Sequence, residues 1–150
     1  MIKKPQHHEY FEGILQLRNY DSNLLDYVLN TIEKDNRSLI TKTKKVNKNC
    51  VDFYLTSQKY LRILGGKLRK NFSGVFKETA TLHTQKKGKD LYRITILFDY
   101  LPLKRGQKVL FRGDNCDIIS WDKRVLLKKS GSGEKLHVSF ADFRKLAKIL

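Results

Sequence analysis

The side chains of this sequence whose types and spacing point to chemistry are its cations. They fall in runs: Lys42, Lys44, Lys45 and Lys48; Lys67, Arg69 and Lys70; Lys86, Lys87 and Lys89; Lys104, Arg105 and Lys108; and Lys123, Arg124, Lys128 and Lys129. Ammonium and guanidinium groups clustered on turns and helix faces neutralise phosphates, and lysine-tipped hairpins can reach into RNA grooves while the sheet behind them stays fixed. Any one of these lysines reads as solvated surface; the set of clusters does not. The chain carries 31 Lys+Arg against 15 Asp+Glu, a formal charge of +16. Such an excess cannot be neutralised internally and calls for a polyanion, with RNA, DNA and an anionic membrane as the candidates. Thermophile-style lysine enrichment is usually balanced by glutamate, and here it is not.

Other chemistries find less support. His7-His8 suggests a metal half-site, but adjacent strand residues point to opposite sides, and His83 and His137 stand alone, so no metal is expected. Gly65-Gly66-Lys67 resembles a phosphate loop only superficially, because that loop needs GxxxxGK[ST] between strand and helix. Inside a helix the glycines serve close packing against a sheet. Glu9, Glu12, Asp52, Glu78 and Asp90 are scattered among cations without acid–base pairing, so no catalytic site and no cofactor are expected. Tyr54 and Tyr92 are weak candidates for stacking on unpaired bases. Cys50 and Cys116 lack a CxxC and read as buried free thiols in a reducing cytoplasm. No segment approaches the ~18 apolar residues of a membrane helix, and Met1-Ile2-Lys3-Lys4-Pro5 has no apolar signal region.

The elements that must position the cations follow from periodicity. After a polar lead-in at 1–8, Tyr10–Arg18 alternates as a strand. Asp21 or Ser22 caps a helix with Leu24, Leu25, Val28, Leu29 and Ile32 on one stripe, ended by Asp35-Asn36. Arg37–Val46 is a second strand, and Val51, Phe53 and Leu55 mark a third. Thr56 or Ser57 caps a second helix carrying Leu61, Leu64, Leu68 and Phe72. A fourth strand follows, with Phe76, Ala80 and Leu82 on one face. Gln85–Asp90 makes a turn, and Tyr92, Ile94, Ile96 and Phe98 face inward from a fifth. This β-α-β-β-α-β-β order predicts an α+β split sandwich with both helices on one face of the sheet. Pro102 and Lys104-Arg105-Gly106 mark a boundary, giving an RNA-binding domain at 1–100 and a second at 101–150. Strands at 109–112, 116–121, 125–129 and 136–139 suit a small SH3-like β-barrel. A terminal helix, 141–150, presents Phe140, Phe143, Leu146, Ala147 and Leu150 to it.

Asp52-Phe53-Tyr54-Leu55-Thr56-Ser57, Lys67-Leu68, Gly74, Lys77, Leu82-His83-Thr84, Gly88 and Tyr92-Arg93 resemble the nonsense-mediated-decay-three family, in its archaeal form. The segment His7–Arg18 resembles the start of the same central region. The likeness is close over 7–98 and loose over 101–150. It implies a non-enzymatic adaptor of the large ribosomal subunit, cytoplasmic, contacting rRNA and neighbouring ribosomal proteins. The family's opening CxxC zinc pairs are missing here, which implies a central region without the zinc-binding part. Its leucine-rich export tail is missing too, so nuclear export is not carried over. The alternative is a general structured-RNA- or DNA-binding protein unrelated to ribosome maturation. Either way, affinity for nucleic acid should fall by roughly one log unit per log unit of salt for each phosphate contacted. A flat titration against salt would contradict the charge argument.

Overall fold

A computed structural model describes residues 10–150 and, at position 86, the backbone alone. The lead-in and the His7-His8 pair lie outside the described residues. Among the described residues, ten strands and three helices make an α+β fold with two five-stranded sheets, each in its own compact unit. One unit takes the chain up to Phe72 together with Phe76–Tyr100; the other comprises Ser73–Val75 and Leu101–Leu150.

The first unit contains β1 (Gly13–Arg18), α1 (Ser22–Asp35), β2 (Ile40–Asn47), β3 (Cys50–Leu55), α2 (Gln58–Asn71), β4 (Gly74–Lys86) and β5 (Lys89–Tyr100). Its sheet runs β2-β3-β1-β5-β4. The central strand β1 is antiparallel to β3 and parallel to β5, and the register stacks three apolar rows: Leu55-Gly13-Ile94, Phe53-Leu15-Ile96 and Val51-Leu17-Phe98. Leu24, Val28 and Ile32 of α1 and Leu61, Leu64 and Leu68 of α2 close over these rows in one buried cluster. Full burial of such a side chain contributes ~1.5–3 kcal/mol.

Both helices begin where the sequence provides a cap. Asp21 accepts the Leu24 N–H, and Ser57 accepts the Tyr60 N–H at 3.1 Å. Asn36, at φ 50°, closes α1 in the left-handed region that asparagine tolerates. Gly13 and Gly65 are packing glycines. A Cβ on Gly13 would sit 2.5 Å from Leu61 Cδ2 and 3.0 Å from the Ile94 carbonyl oxygen. One on Gly65 would sit 2.9 Å from Ile96 Cδ1 and 3.0 Å from Phe76 Cε2. Gly66 has open space around it, so the packing role expected of the glycine pair belongs to Gly65 alone.

The fourth and fifth strands depart from expectation. The predicted turn at Gln85–Asp90 shrinks to Lys87-Gly88, whose φ angles of 53° and 75° make a type I′ turn. Its twist matches that of the flanking strands, so pairing continues to the tip despite the lysines. Residues 77–85 and 87–92 are exposed on both faces, and the hairpin extends as a ribbon beyond the part of the sheet that the helices cover. Leu82 and Tyr92, expected on inward faces, are therefore 52% and 47% exposed.

The second unit contains β6 (Lys108–Phe111), β7 (Asp114–Trp121), β8 (Val125–Lys129), β9 (Lys135–Val138), α3 (Phe140–Leu146) and β10 (Ala147–Ile149). All neighbours in its β10-β6-β7-β8-β9 sheet are antiparallel. Val109, Phe111, Cys116, Ile118, Val125 and Leu127 share a core with Phe140 and Phe143. The predicted helix at 141–150 is corrected here: it ends at Leu146, and Ala147–Ile149 pairs with Val109–Phe111. Without that strand the backbone edge of β6 would lie unpaired, so ladder hydrogen bonding outweighs the apolar periodicity. Leu146 and Leu150 accordingly stay exposed.

The two helical glycines should separate in a urea titration. Gly66→Ala is expected to stabilise the fold by about 0.5–1 kcal/mol through helix propensity. Gly65→Ala is expected to destabilise it by about 1–3 kcal/mol through overpacking.

Candidate nucleic-acid interface

Each basic run is fixed by the element that carries it, and the runs fare differently. Lys42, Lys44 and Lys45 lie exposed on β2, an edge strand bent by two register shifts. Lys48 sits in the exposed turn that follows. Lys42 and Lys44 are registered with Tyr54 and Asp52, which puts them on the sheet face away from the helices. There a row of cations and rings crosses the strands. The Lys42 ammonium lies 5.3 Å from the Tyr54 ring, which packs edge-on to Phe11 at 4.8 Å. Phe11 is in turn covered by the Arg93 guanidinium at 3.7 Å. Arg93 Nε also donates to the Phe11 carbonyl at 3.1 Å, so this guanidinium is held in place by two contacts. Tyr54 is thus the partner of its neighbours rather than a free stacking surface. Arg93 belongs to no basic run, and only cross-strand register reveals its position.

The helix run divides. Lys67 Nζ donates to Asp35 at 2.7 Å, and the buried Tyr60 hydroxyl donates to the same carboxylate at 2.8 Å. These bonds, the lysine's first, hold the Asp35 carboxyl below the usual carboxylate range. Burial and the bond to Asp35 push the Tyr60 phenol up. The cluster ties the end of α1 to α2. Arg69 packs over Phe76 at 4.9 Å, whereas Lys70 projects exposed from the last turn. At the hairpin tip, Lys87 and Lys89 are exposed, and Gln85 donates to Asp90 across the ribbon at 2.7 Å.

In the second unit the structure unites two runs. Gly106 N–H donates to the Ile118 carbonyl at 2.7 Å, which brings the Lys104-Arg105 turn beside β7. The Arg105 guanidinium then lies 4.9 Å from the Trp121 ring, next to the exposed turn that carries Lys123 and Arg124. Lys129 is engaged within the unit, bridging Glu134 at 3.0 Å and Asp114 at 3.5 Å. Lys108 contacts Asp117 at 3.2 Å, and Lys128 is exposed on the same outer face. Lys135, directly opposite Lys128, is absent from the predicted runs because it stands alone in sequence.

The carboxylates serve structure. Glu12 accepts the Tyr10 hydroxyl at 2.6 Å and the Gln58 N–H at 2.9 Å, holding the start of α2. Burial first, then that bond, pushes the Tyr10 phenol up to about 12. Asp52 pairs with Arg18 at 2.8 Å, and Glu78 faces Arg62 at 3.4 Å. Among the described residues no group of His, Cys, Asp or Glu could hold a metal ion, and no helix is long and apolar enough to cross a membrane. Both cysteines are free thiols. Cys116 is buried, and burial pushes its thiol up; Cys50, expected buried, is only half-buried because it opens β3 beside a turn. The arrangement leaves cations exposed on turns, an edge strand and outer sheet faces, with Lys42, Arg93 and Arg105 packed over aromatic rings.

Residues 10–99 match a family model described as NMD3, second domain. No curated protein matches the chain.

Two kinds of cation should separate on mutation. Lys67→Gln is expected to lower the melting temperature and to lose that effect in an Asp35→Asn background, whereas Lys70→Gln leaves it unchanged. Because Asp35 titrates below its unfolded value, its stabilisation is full above the ordinary carboxylate range. It fades as pH falls through the folded pKa, so wild type and Asp35→Asn should converge in acid melts.

Proposed function

Because this chain belongs to the NMD3 family, we propose that it is a non-enzymatic adaptor of the large ribosomal subunit, acting in subunit assembly and contacting rRNA through its basic turns and helix faces. The family is linked to ribosomal subunit export and assembly and associates with the large subunit. The observation that carries the reading is that match joined to the exposed cations at Lys42–Lys48, Lys87–Lys89, Lys104–Arg105 and Lys123–Arg124. In this reading the protein is archaeal-type and cytoplasmic. A split β-α-β-β-α-β-β sandwich over 1–100 makes the main rRNA contact, and 101–150 forms a separate SH3-like barrel. Lys67, Arg69 and Lys129 contribute field rather than direct contact, since each already has a partner inside the fold.

Co-sedimentation with intact large subunits tests the reading against general nucleic-acid binding. Retention on subunits in the presence of excess free RNA and DNA duplex is the expected outcome; competition by free duplex at equal phosphate would favour the alternative. Charge reversal at Lys86, Lys87 and Lys89 should weaken subunit binding by on the order of tenfold or more while leaving the melting temperature unchanged. Equal loss of fold and binding would remove the hairpin tip from the interface.

A further inference from the structure

The outer face of the second sheet carries a row that its registers define strand by strand. Lys108 on β6 stands opposite Asp117 on β7, Asp117 opposite Lys128 on β8, and Lys128 opposite Lys135 on β9. Directly opposed residues in antiparallel strands share a face and lie within reach of each other. Two lysines thus flank a single carboxylate, and a third lies one strand further on, opposite Lys128. Asp117 turns to Lys108, whose side chain is 69% exposed. Among the described residues no carboxylate lies within ion-pair distance of Lys128 or Lys135. A like-charge pair placed opposite in a ladder destabilises it, and the free protein bears that cost.

We infer that this row is a binding site for the phosphodiester backbone of RNA, and that the Lys128–Lys135 repulsion is relieved when phosphates lie along it. The inference rests on the ribosomal reading above and adds a contact with a defined direction across the strands. The row spans three inter-strand steps, roughly 14 Å, a length that accommodates successive backbone phosphates better than one small anion. Opposed ammonium groups converge on a shared negative charge in a way that scattered surface lysines do not. An acidic protein segment is the other polyanion that fits, but its carboxylates would have to repeat at strand spacing, whereas every nucleotide brings a phosphate.

The test uses the full chain, a paired RNA duplex longer than one helical turn, inorganic phosphate and polyglutamate. Without ligand, Lys135→Gln should raise the melting temperature, and the gain should shrink as salt rises; Lys135→Arg should leave it unchanged. With duplex RNA, Lys128→Gln combined with Lys135→Gln should weaken binding several-fold. The same double variant should lower the slope of log affinity against log salt by about two. Wild-type binding that the double variant leaves intact in affinity and slope overturns the site while sparing the ribosomal reading. So does equal stabilisation of the wild type by inorganic phosphate or by polyglutamate. Absence of any RNA binding by the wild type, with large subunits also failing to retain it, takes down both. A double variant that binds more weakly without the gain in melting temperature overturns the stored repulsion.

Discussion

The first unit depends on how closely α2 can approach the sheet. Gly13 occupies the place in the Leu55-Gly13-Ile94 row where its neighbours carry large side chains, and Leu61 fills the vacancy. About one turn beyond Leu61, Gly65 admits Ile96 and Phe76 in the same way. With no methyl group at either point, the helix lies directly on β1 and β5, and Leu64 and Leu68 reach full burial. The cations of α2 and of the β4–β5 ribbon are positioned from this contact. Lys70 projects from the last turn of α2, and β5, held beneath the helix, continues past the helices into the exposed ribbon.

Charge is organised by subtraction. Few carboxylates are present, and most of those described are engaged by the fold: Asp35 joins the helices, Glu12 holds the start of α2, Asp52 faces Arg18, and Asp114 with Glu134 grips Lys129. Anions used this way cannot screen the remaining lysines. A protein that needed only solubility would scatter its acids over the surface, where pairs contribute little to stability. Here they sit at junctions of elements, and the uncompensated positive charge is left on turns, edges and outer sheet faces.

Much of this architecture was legible in residue order because period and caps agreed. The pairs Asp21-Ser22, Thr56-Ser57 and Asp35-Asn36 mark helix ends, of which the structure uses Asp21, Ser57 and Asn36, and the alternation through Leu15, Leu17, Phe53 and Leu55 marks core strands. The departures share one cause, which is that local pattern does not reveal what lies next to a segment in space. Tyr92 continues the inward alternation of β5, yet no helix extends over it. Leu146 and Leu150 complete a helical stripe, yet β6 needed a neighbour more than the helix needed another turn. The cation runs were visible as runs, but Arg93 and Lys135 matter only through the residues opposite or against them. Lys67, conversely, looks like its neighbours in sequence and differs from Lys70 by one carboxylate contributed from α1.

The same spatial argument explains why sheets suit this surface. On a helix, like charges can be spaced round the cylinder, so that repulsion is spread among many directions. On a strand, every second residue must share one face, and its cross-strand partner is fixed by register. A basic sheet therefore either interleaves acids or accumulates repulsion along defined rows. Asp117 is the one acid interleaved in the row of the second unit, and the first unit tempers its outer face with aromatic rings beneath Lys42 and Arg93. A ring attracts a cation without cancelling its charge. Such a face remains electropositive while its side chains are held in place, so less conformational entropy is lost when a phosphate arrives. Preorganised cations on a packed scaffold lose less freedom on meeting a polyanion than a flexible basic tail does, and Gly13 and Gly65 are what let that scaffold pack so closely.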